Sequence, residues 1–573
     1  MPVSRIRSFL QKAREMVRAN FKTITLDFLF IFLFVNLFQM VFGAENSIVG
    51  VILTILMPSS MVRDLTGAPV RNFFRISVIL FSMTLSAFLV TTLNPLLALP
   101  VNFLMLLVIL YLFTFEYSTH LYVPYILSYL FLVFISPVSS EQLPKRLVSV
   151  LAGAVCILLY QLVKGRKRAQ ESAQDALGAM IGEAQGCVRC LLTGKDRPDD
   201  PETVRANLCA LSKLIYDRRK SALHISDAAF SMLDAGRGLE NLILALYRWE
   251  GPTTPAREAL LNLVAGQLEA FRAFLCREAD SLPPLPQSEG LAGQDEEAGE
   301  LLRQLRYIRE HLQHMADPER KASYRKTFLS FSVRVRAALD VSPVRVVYAL
   351  RVAALLSVFT LIVQLLGLPH GKWLLFTLAS VSLPYADDVG TKAKKRLTAT
   401  VIGGIPAFLF FALIPSMAAR TAFMIFTGYL TSYFTDYRFS FACSTVGGLG
   451  GAMLAGSFGW GGAGEILLIR LGYICAGVLI AWAVNCLLFP FRRKTASQQL
   501  WDKYASTTEL LGRICREENA DPQIYYSLVI QSHLMEEKLK ENAVSANWEG
   551  MSELLEPYRA RVRSAHRGIV REI

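Results

Sequence analysis

Charged side chains lying inside long apolar stretches are the residues best placed to do chemistry in this 573-residue chain. Asp27, Glu116, Arg146, Arg351 and Arg470 each fall in such a stretch or at its edge. A charge at the centre of a bilayer costs about 2.5–3.5 kcal/mol on insertion scales, so each one needs a reason. An arginine in that setting can hold an organic anion, and a carboxylate can take up and release a proton. Arg351 is therefore a candidate anion contact, and Asp27 and Glu116, the latter near His120, are candidate proton-coupling sites. Arg146 and Arg470 each open the last apolar segment of a block, which suggests a vestibule that attracts or releases anions. The plainer alternative is that these charges sit at helix ends and reach water or anchor at the interface.

Other chemistry is sparse. A phosphate-binding loop needs Gly-x4-Gly-Lys and then Ser or Thr; Gly194-Lys195-Asp196 and Gly371-Lys372-Trp373 fit neither the spacing nor the last residue. Cys187 and Cys190 make a single CxxC with no second pair, and His311 and His314 share a helix face without an obvious carboxylate partner. No Ser/His/Asp set stands out. No metal, no cofactor and no enzymatic activity are expected.

The elements that carry these residues are apolar helices. Hydrophobic residues make up 53% of the chain and charged residues only 19%, with a mean hydropathy of +0.37. Two blocks, near 23–163 and 346–491, are almost free of charge. At about 20 residues per crossing, each block of ~140 residues holds about six spans. The polar breaks place them at about 24–43, 46–62, 73–93, 95–113, 121–137 and 146–163, then 346–366, 372–386, 397–414, 417–434, 438–456 and 470–490. Such a chain is no cytosolic enzyme, secreted domain or disordered segment. Its nine scattered cysteines make no disulfide framework. The net charge of +13 reads as basic residues flanking spans, not as a nucleic-acid surface.

With the amino terminus inside, the inner loops hold 21 Lys and Arg and the outer loops 5. That bias predicts both termini and the middle region on the cytoplasmic side. Span starts in the two blocks are separated by 322–326 residues, and Arg146-x6-Gly153 recurs as Arg470-x6-Gly477, 324 residues later. A parallel repeat follows, with its pseudo-axis along the membrane normal. The expected organisation is a basic amino terminus (1–22), a first transmembrane block (23–164), a cytoplasmic helical domain (165–344), a second transmembrane block (345–491) and a cytoplasmic helical tail (492–573). The polar parts read as helix at 3–4 residue spacing, for example Leu260, Val264, Leu268, Phe271 and Leu275. A further helix is expected over about 318–341. The fold class is thus all-α, a polytopic membrane protein. Residues 447–464 contain nine glycines, among them Gly447 and Gly451 at the spacing of close helix packing.

Tyr348-Ala349-Leu350-Arg351-Val352-Ala353, then Gly367-Leu368-Pro369-His370-Gly371-Lys372-Trp373, Thr377, Pro384, the basic run to Arg396 and Ile402-Gly403-Gly404 stand in an order that resembles the fusaric acid resistance (FUSC) family, the aromatic acid exporter group of bacterial inner-membrane proteins. The likeness covers about 345–405; the first block has Asn46 to Val49 where Trp373 has its counterpart. The resemblance implies a transporter that exports small organic acids, driven by the proton gradient. It implies a cargo carboxylate paired with Arg351 and Arg396 and stacked on Trp373, with Thr377 one turn along. The partners implied are the lipid bilayer, a small organic anion and a homo-oligomeric state. Some relatives use a periplasmic adaptor, for which the short outer loops here leave little to dock on. A passive anion channel and a membrane-anchored scaffold or sensor are the competing readings.

Overall fold

A computed structural model describes residues 3–61, 69–117, 120–195, 201–218, 226–249, 254–285, 296–317, 319–320, 342–453, 460–515 and 521–571. The helix expected over about 318–341 lies almost wholly outside the described residues, as do Arg63, Gly456 and Gly459. Among the described residues every regular element is a helix.

The first block contains α1 (Val3–Phe42), α2 (Ser47–Ser60), α3 (Pro69–Thr92), α4 (Pro95–Phe113), α5 (Tyr122–Phe134) and α6 (Leu143–Thr193). Four helices follow outside it: α7 (Pro201–Arg218), α8 (Asp227–Arg248), α9 (Pro255–Leu275) and α10 (Glu296–Ala316). The second block contains α11 (Pro343–Leu365), α12 (Lys372–Val381), α13 (Ala386–Leu413), α14 (Met417–Thr431), α15 (Tyr437–Met453) and α16 (Trp460–Ala483), which ends in a π-helical turn (Val484–Leu488). The tail adds α17 (Arg493–Ile514), α18 (Pro522–Ser545) and α19 (Met551–Arg571).

A helix stands at each of the twelve positions expected in the blocks. Among the described residues seven stretches are long and apolar enough to cross a membrane: Asn20–Phe42, Pro69–Thr92, Pro95–Phe113, Leu143–Lys164, Pro343–Leu365, Ala386–Leu413 and Gly462–Leu488. The others, α2, α5, α12, α14 and α15, have 10–17 residues. They run about 15–26 Å at 1.5 Å per residue, short of a ~30 Å hydrocarbon core. Local chemistry explains several ends. Asn94 accepts a hydrogen bond from the Leu96 amide (3.0 Å) ahead of Pro95, which fixes the start of α4. Pro384 disfavours helical geometry at Leu383, and α12 stops just before it.

The blocks pack as one unit. The α4–α11 contact joins them, and a single core runs from Leu53, Leu106 and Tyr129 through Val352 and Leu356 to Leu375, Leu378 and Ala481. Gln364 of α11 donates to the Val90 carbonyl (3.1 Å), and Phe131 meets Phe376 edge-on.

The polar helices also share one core. Leu177, Leu208, Leu239, Val264 and Leu305, from the middle region, cluster with Leu500, Leu511, Leu534 and Leu555 of the tail. The two helical regions that flank the second block in sequence therefore form one bundle. Its centre is ionic. Glu536, fully buried, receives Arg205 (2.7 Å), Arg559 (2.8 Å) and Lys540 (3.4 Å), and Arg205 also reaches Glu240 (3.0 Å). Burial alone would raise the Glu536 carboxyl, but the surrounding cations hold it well below the usual carboxylate range. Glu202 bridges Arg559 and Lys540; against its partial burial those cations hold it at about 2.

Two features tie the bundle to the membrane blocks. Helix α6 is unbroken over 51 residues, from its apolar portion into the bundle core at Met180, Cys187 and Val188. In addition, the α4–α5 connection places Tyr117 in the bundle core, edge-on to Tyr216 and within 3.3 Å of Lys503 Nζ.

Candidate functional site

Four helices of the second block, α12, α13, α15 and α16, bring a set of cations and rings together. On α12, Trp373, Thr377 and Ser380 share one face at helical spacing, and all three are buried. On α13, Lys392 and Arg396 are one turn apart. On α15, Tyr437, Phe441 and Gly448 follow the same face, and α16 supplies Arg470.

Each cation lies on an aromatic ring. Lys392 Nζ is 3.5 Å from the Tyr437 ring centroid, the Arg396 guanidinium is 4.6 Å from Phe441, and the Arg470 guanidinium is 4.9 Å from Trp373. The far face of Trp373 is not open: His370 stacks on the ring at 4.8 Å and 12°. The Tyr437 hydroxyl lies beside Arg396 and Ser380. Arg396 and Arg470 are each 6% exposed, and their charges are close enough to repel. Arg396 Nε and Arg470 Nε and Nη1 have no hydrogen-bond partner. Among the described residues no carboxylate pairs with either arginine.

Both arginines sit deeper than the sequence placed them. Arg470 was expected at the first residue of its span, but α16 begins at Trp460, ten residues earlier. The glycines at 461, 462 and 464 lower the hydropathy there without breaking the helix. Arg396 was expected just ahead of a span, but α13 begins at Ala386, so Arg396 also lies ten residues in, from the opposite end. Ten residues of helix rise about 15 Å.

Glycine makes the arrangement possible. A Cβ on Gly448 would stand 2.7 Å from Arg470 Nη1, and one on Gly403 would stand 2.1 Å from the Ala442 carbonyl oxygen, where α13 crosses α15. Gly447 and Gly451, the pair singled out for packing, have nothing within 4 Å. The close contacts belong to Gly403, Gly448 and Gly450, the last against Phe411 and Met424.

The remaining candidates lie elsewhere. The tips of the Arg351 guanidinium are held by backbone, while its Nε has no partner: Nη1 donates to the Phe489 carbonyl (2.9 Å), and Nη2 to those of Leu383 (2.7 Å) and Pro384 (3.2 Å). It joins the break after α12 to the π-helical end of α16. Arg146 is 1% exposed and donates to Asn46 Oδ1, the Glu45 carbonyl and both oxygens of Ser136. Thr377 donates to the Trp373 carbonyl (2.7 Å) and packs where a Cβ on Gly477 would be, 2.9 Å from its own Cβ. Asp27 pairs with Lys164 (2.8 Å), both about half exposed, at the bundle end of the block. Glu116 belongs to the α4–α5 connection near Tyr385. Beside it, burial and then Lys538 hold His120 at about 4. Among the described residues no cluster of His, Cys, Asp and Glu is arranged to hold a metal, and Cys187 is a fully buried core residue.

Lys392, Ser380, Tyr437, Phe441 and Gly448 were not anticipated. The spacing of 437, 441 and 448 on one face, opposite 392 and 396, was the available signal.

Among the described residues, seven long apolar helices, short helices packed among them and a polar bundle at one end define a multi-pass helical membrane protein. Residues 356–484 match the family described as fusaric acid resistance protein-like. The chain is also similar to the inner membrane protein YccS of Escherichia coli (strain K12), 27% identical over 147 residues, which is 25% of this chain and 20% of that protein. The aligned part thus spans about a fifth of the length of that relative. No solved structure matches.

Proposed function

We propose that this protein is a secondary transporter that exports small organic anions, aromatic acids among them, across the bacterial inner membrane. The observation that carries this reading is the pair of buried guanidiniums, Arg396 and Arg470, that lie on aromatic faces with N–H groups unpartnered and no carboxylate beside them. A carboxylate supplies the missing charge and acceptors. Lys392 on Tyr437, nearer the bundle, is a first contact for an arriving anion. Arg351, occupied by three carbonyls, positions the ends of α12 and α16. Arg146 does the equivalent in the first block. The bundle side is the cytoplasm, as the loop charges favour.

Internal contacts support the repeat. Gly153 of α6 packs on Leu53 of α2; Gly477 of α16 packs on Thr377 of α12, with both residues shifted by 324. Gln161 donates to the Ser60 carbonyl (2.6 Å), and Asn485, again 324 later, donates to Ser382 Oγ (3.2 Å). The anion site belongs to one half, since Asn46 engages Arg146 where the second half has His370 over Trp373.

For proton coupling we assign Asp27. Protonation breaks its pair with Lys164 and uncouples α1 from α6. Glu116, in the connection that carries Tyr117, is a second proton site.

The test is uptake of labelled hydroxybenzoate into proteoliposomes under an imposed pH gradient. Uptake by the wild type, lost in Arg470→Gln and Arg396→Gln, supports the proposal. Uptake that is unchanged in both variants removes the site. Currents that reverse at the anion equilibrium potential, with no response to pH, would make the protein a channel.

A further inference from the structure

Nine arginines are buried among the described residues, and seven have their charge answered. Arg205 and Arg559 share Glu536, and Arg237 meets Tyr525 and Asp234. Arg146, Arg345, Arg351 and Arg420 donate to backbone carbonyls. Arg396 and Arg470 differ: among the described residues neither is held by an acid or a backbone carbonyl, and the charge of Arg396 is felt at Arg470. The start of α12, beside Trp373, adds the partial positive charge of a helix N-terminus with no side-chain cap. A buried charge without compensation is strongly disfavoured in an apolar medium, and two adjacent like charges more so.

We propose that this site binds a small inorganic monoanion of the halide class whenever cargo is absent, so that cargo enters by displacing it. The inference rests on the reading of Arg396 and Arg470 as the cargo site. The site suits a halide. Guanidinium N–H groups supply donors, and only the positive edges of the Trp373 and Phe441 rings, not their faces, tolerate an anion. Gly448 leaves the space over which Arg470 lies. The exchange holds the net charge of the pair at +1 instead of +2 through the transport cycle: a carboxylate arrives as the halide leaves, and the halide returns when the carboxylate departs.

Radiolabelled chloride binding to the purified full-length protein tests this, with gluconate as the non-binding counter-ion. The expected result is about one chloride per chain, weakened at least about tenfold in Arg470→Gln and in Arg396→Gln and unchanged in Arg513→Gln on the bundle surface. A melting temperature that rises with chloride in the wild type, but not in the two variants, checks that lost binding is not lost folding. Benzoate should compete, its apparent affinity falling about tenfold for each tenfold rise in chloride, as mass action requires for one shared site. No bound chloride in the wild type, or binding undiminished in both folded variants, overturns the inference. If benzoate binds and is transported without regard to chloride, the halide proposal fails and the export reading stands. If chloride binds through both arginines and benzoate never competes, the halide site stands and the export reading fails.

Discussion

Arg470 Nη1 lies 2.7 Å from the point that a Cβ on Gly448 would occupy, so the guanidinium rests on bare backbone on one side and on Trp373 on the other. A methyl group at 448 meets the tip of a long side chain, which can move. The expected outcome of Gly448→Ala is a folded protein whose Arg470 is pushed off the Trp373 face, with uptake reduced about tenfold or more, equivalent to about 1.4 kcal/mol of binding. Gly447→Ala, which meets nothing within 4 Å, should leave uptake unchanged and gain up to about 1 kcal/mol of helix stability. Uptake assays on both variants check the pair, and equal loss in both would mean that the contact is irrelevant.

The crossing of α13 and α15 has no such freedom. A Cβ on Gly403 would stand 2.1 Å from the Ala442 carbonyl oxygen, which is backbone on both sides of the contact. Gly403→Ala should therefore destabilise the second block by about 3 kcal/mol, the upper end of overpacking costs. Unfolding in detergent measures it, and a wild-type midpoint would show that the helices can part cheaply.

The positions of the helices in the two blocks were legible in the sequence, because runs of apolar residues broken by Pro, Gly and charge report helix location directly, but five of the twelve are too short to be the spans expected. The depth of the key arginines was not legible. Basic residues at 392–396 and glycines at 461–464 lower local hydropathy, so both were read as span boundaries while the helices continue through them. The partners of Arg351 were equally hidden, since the carbonyls of Leu383, Pro384 and Phe489 are brought together only by the fold. Nor does periodicity show that helices before and after the second block share a core; that depends on Arg205, 331 residues from Glu536 in sequence, meeting it in space.

Glu536 answers three cations, so removing its charge takes the shared, fully buried counter-ion from Arg205 and Arg559 and leaves them only Glu240 and Glu202. Glu536→Gln should cost the bundle about 3–5 kcal/mol, as breaking a buried ion pair from one side does. Proteolysis should then release the tail from α17 onward faster than in the wild type; an unchanged digestion pattern would place the bundle's stability elsewhere.

Acid should act through the same residue. Its folded carboxyl is held below the unfolded value of 4.5, so the stability it contributes is fully present above about pH 4.5 and is lost as pH falls through the folded value. The loss from this group approaches about 1.4 kcal/mol per pH unit. Chemical denaturation of the bundle between pH 7 and pH 3, monitored at Trp501, measures the slope, and Glu536→Gln should flatten it.

Helix α6 measures about 76 Å at 1.5 Å per residue, and its 51 residues form one continuous helix. A rigid beam of that length is a pointer: a tilt of ~5° at its Arg146 end sweeps the opposite tip through roughly 7 Å. Rocking of the first block against lipid is thereby amplified and written onto the bundle, where a pair of fluorophores could read each stroke.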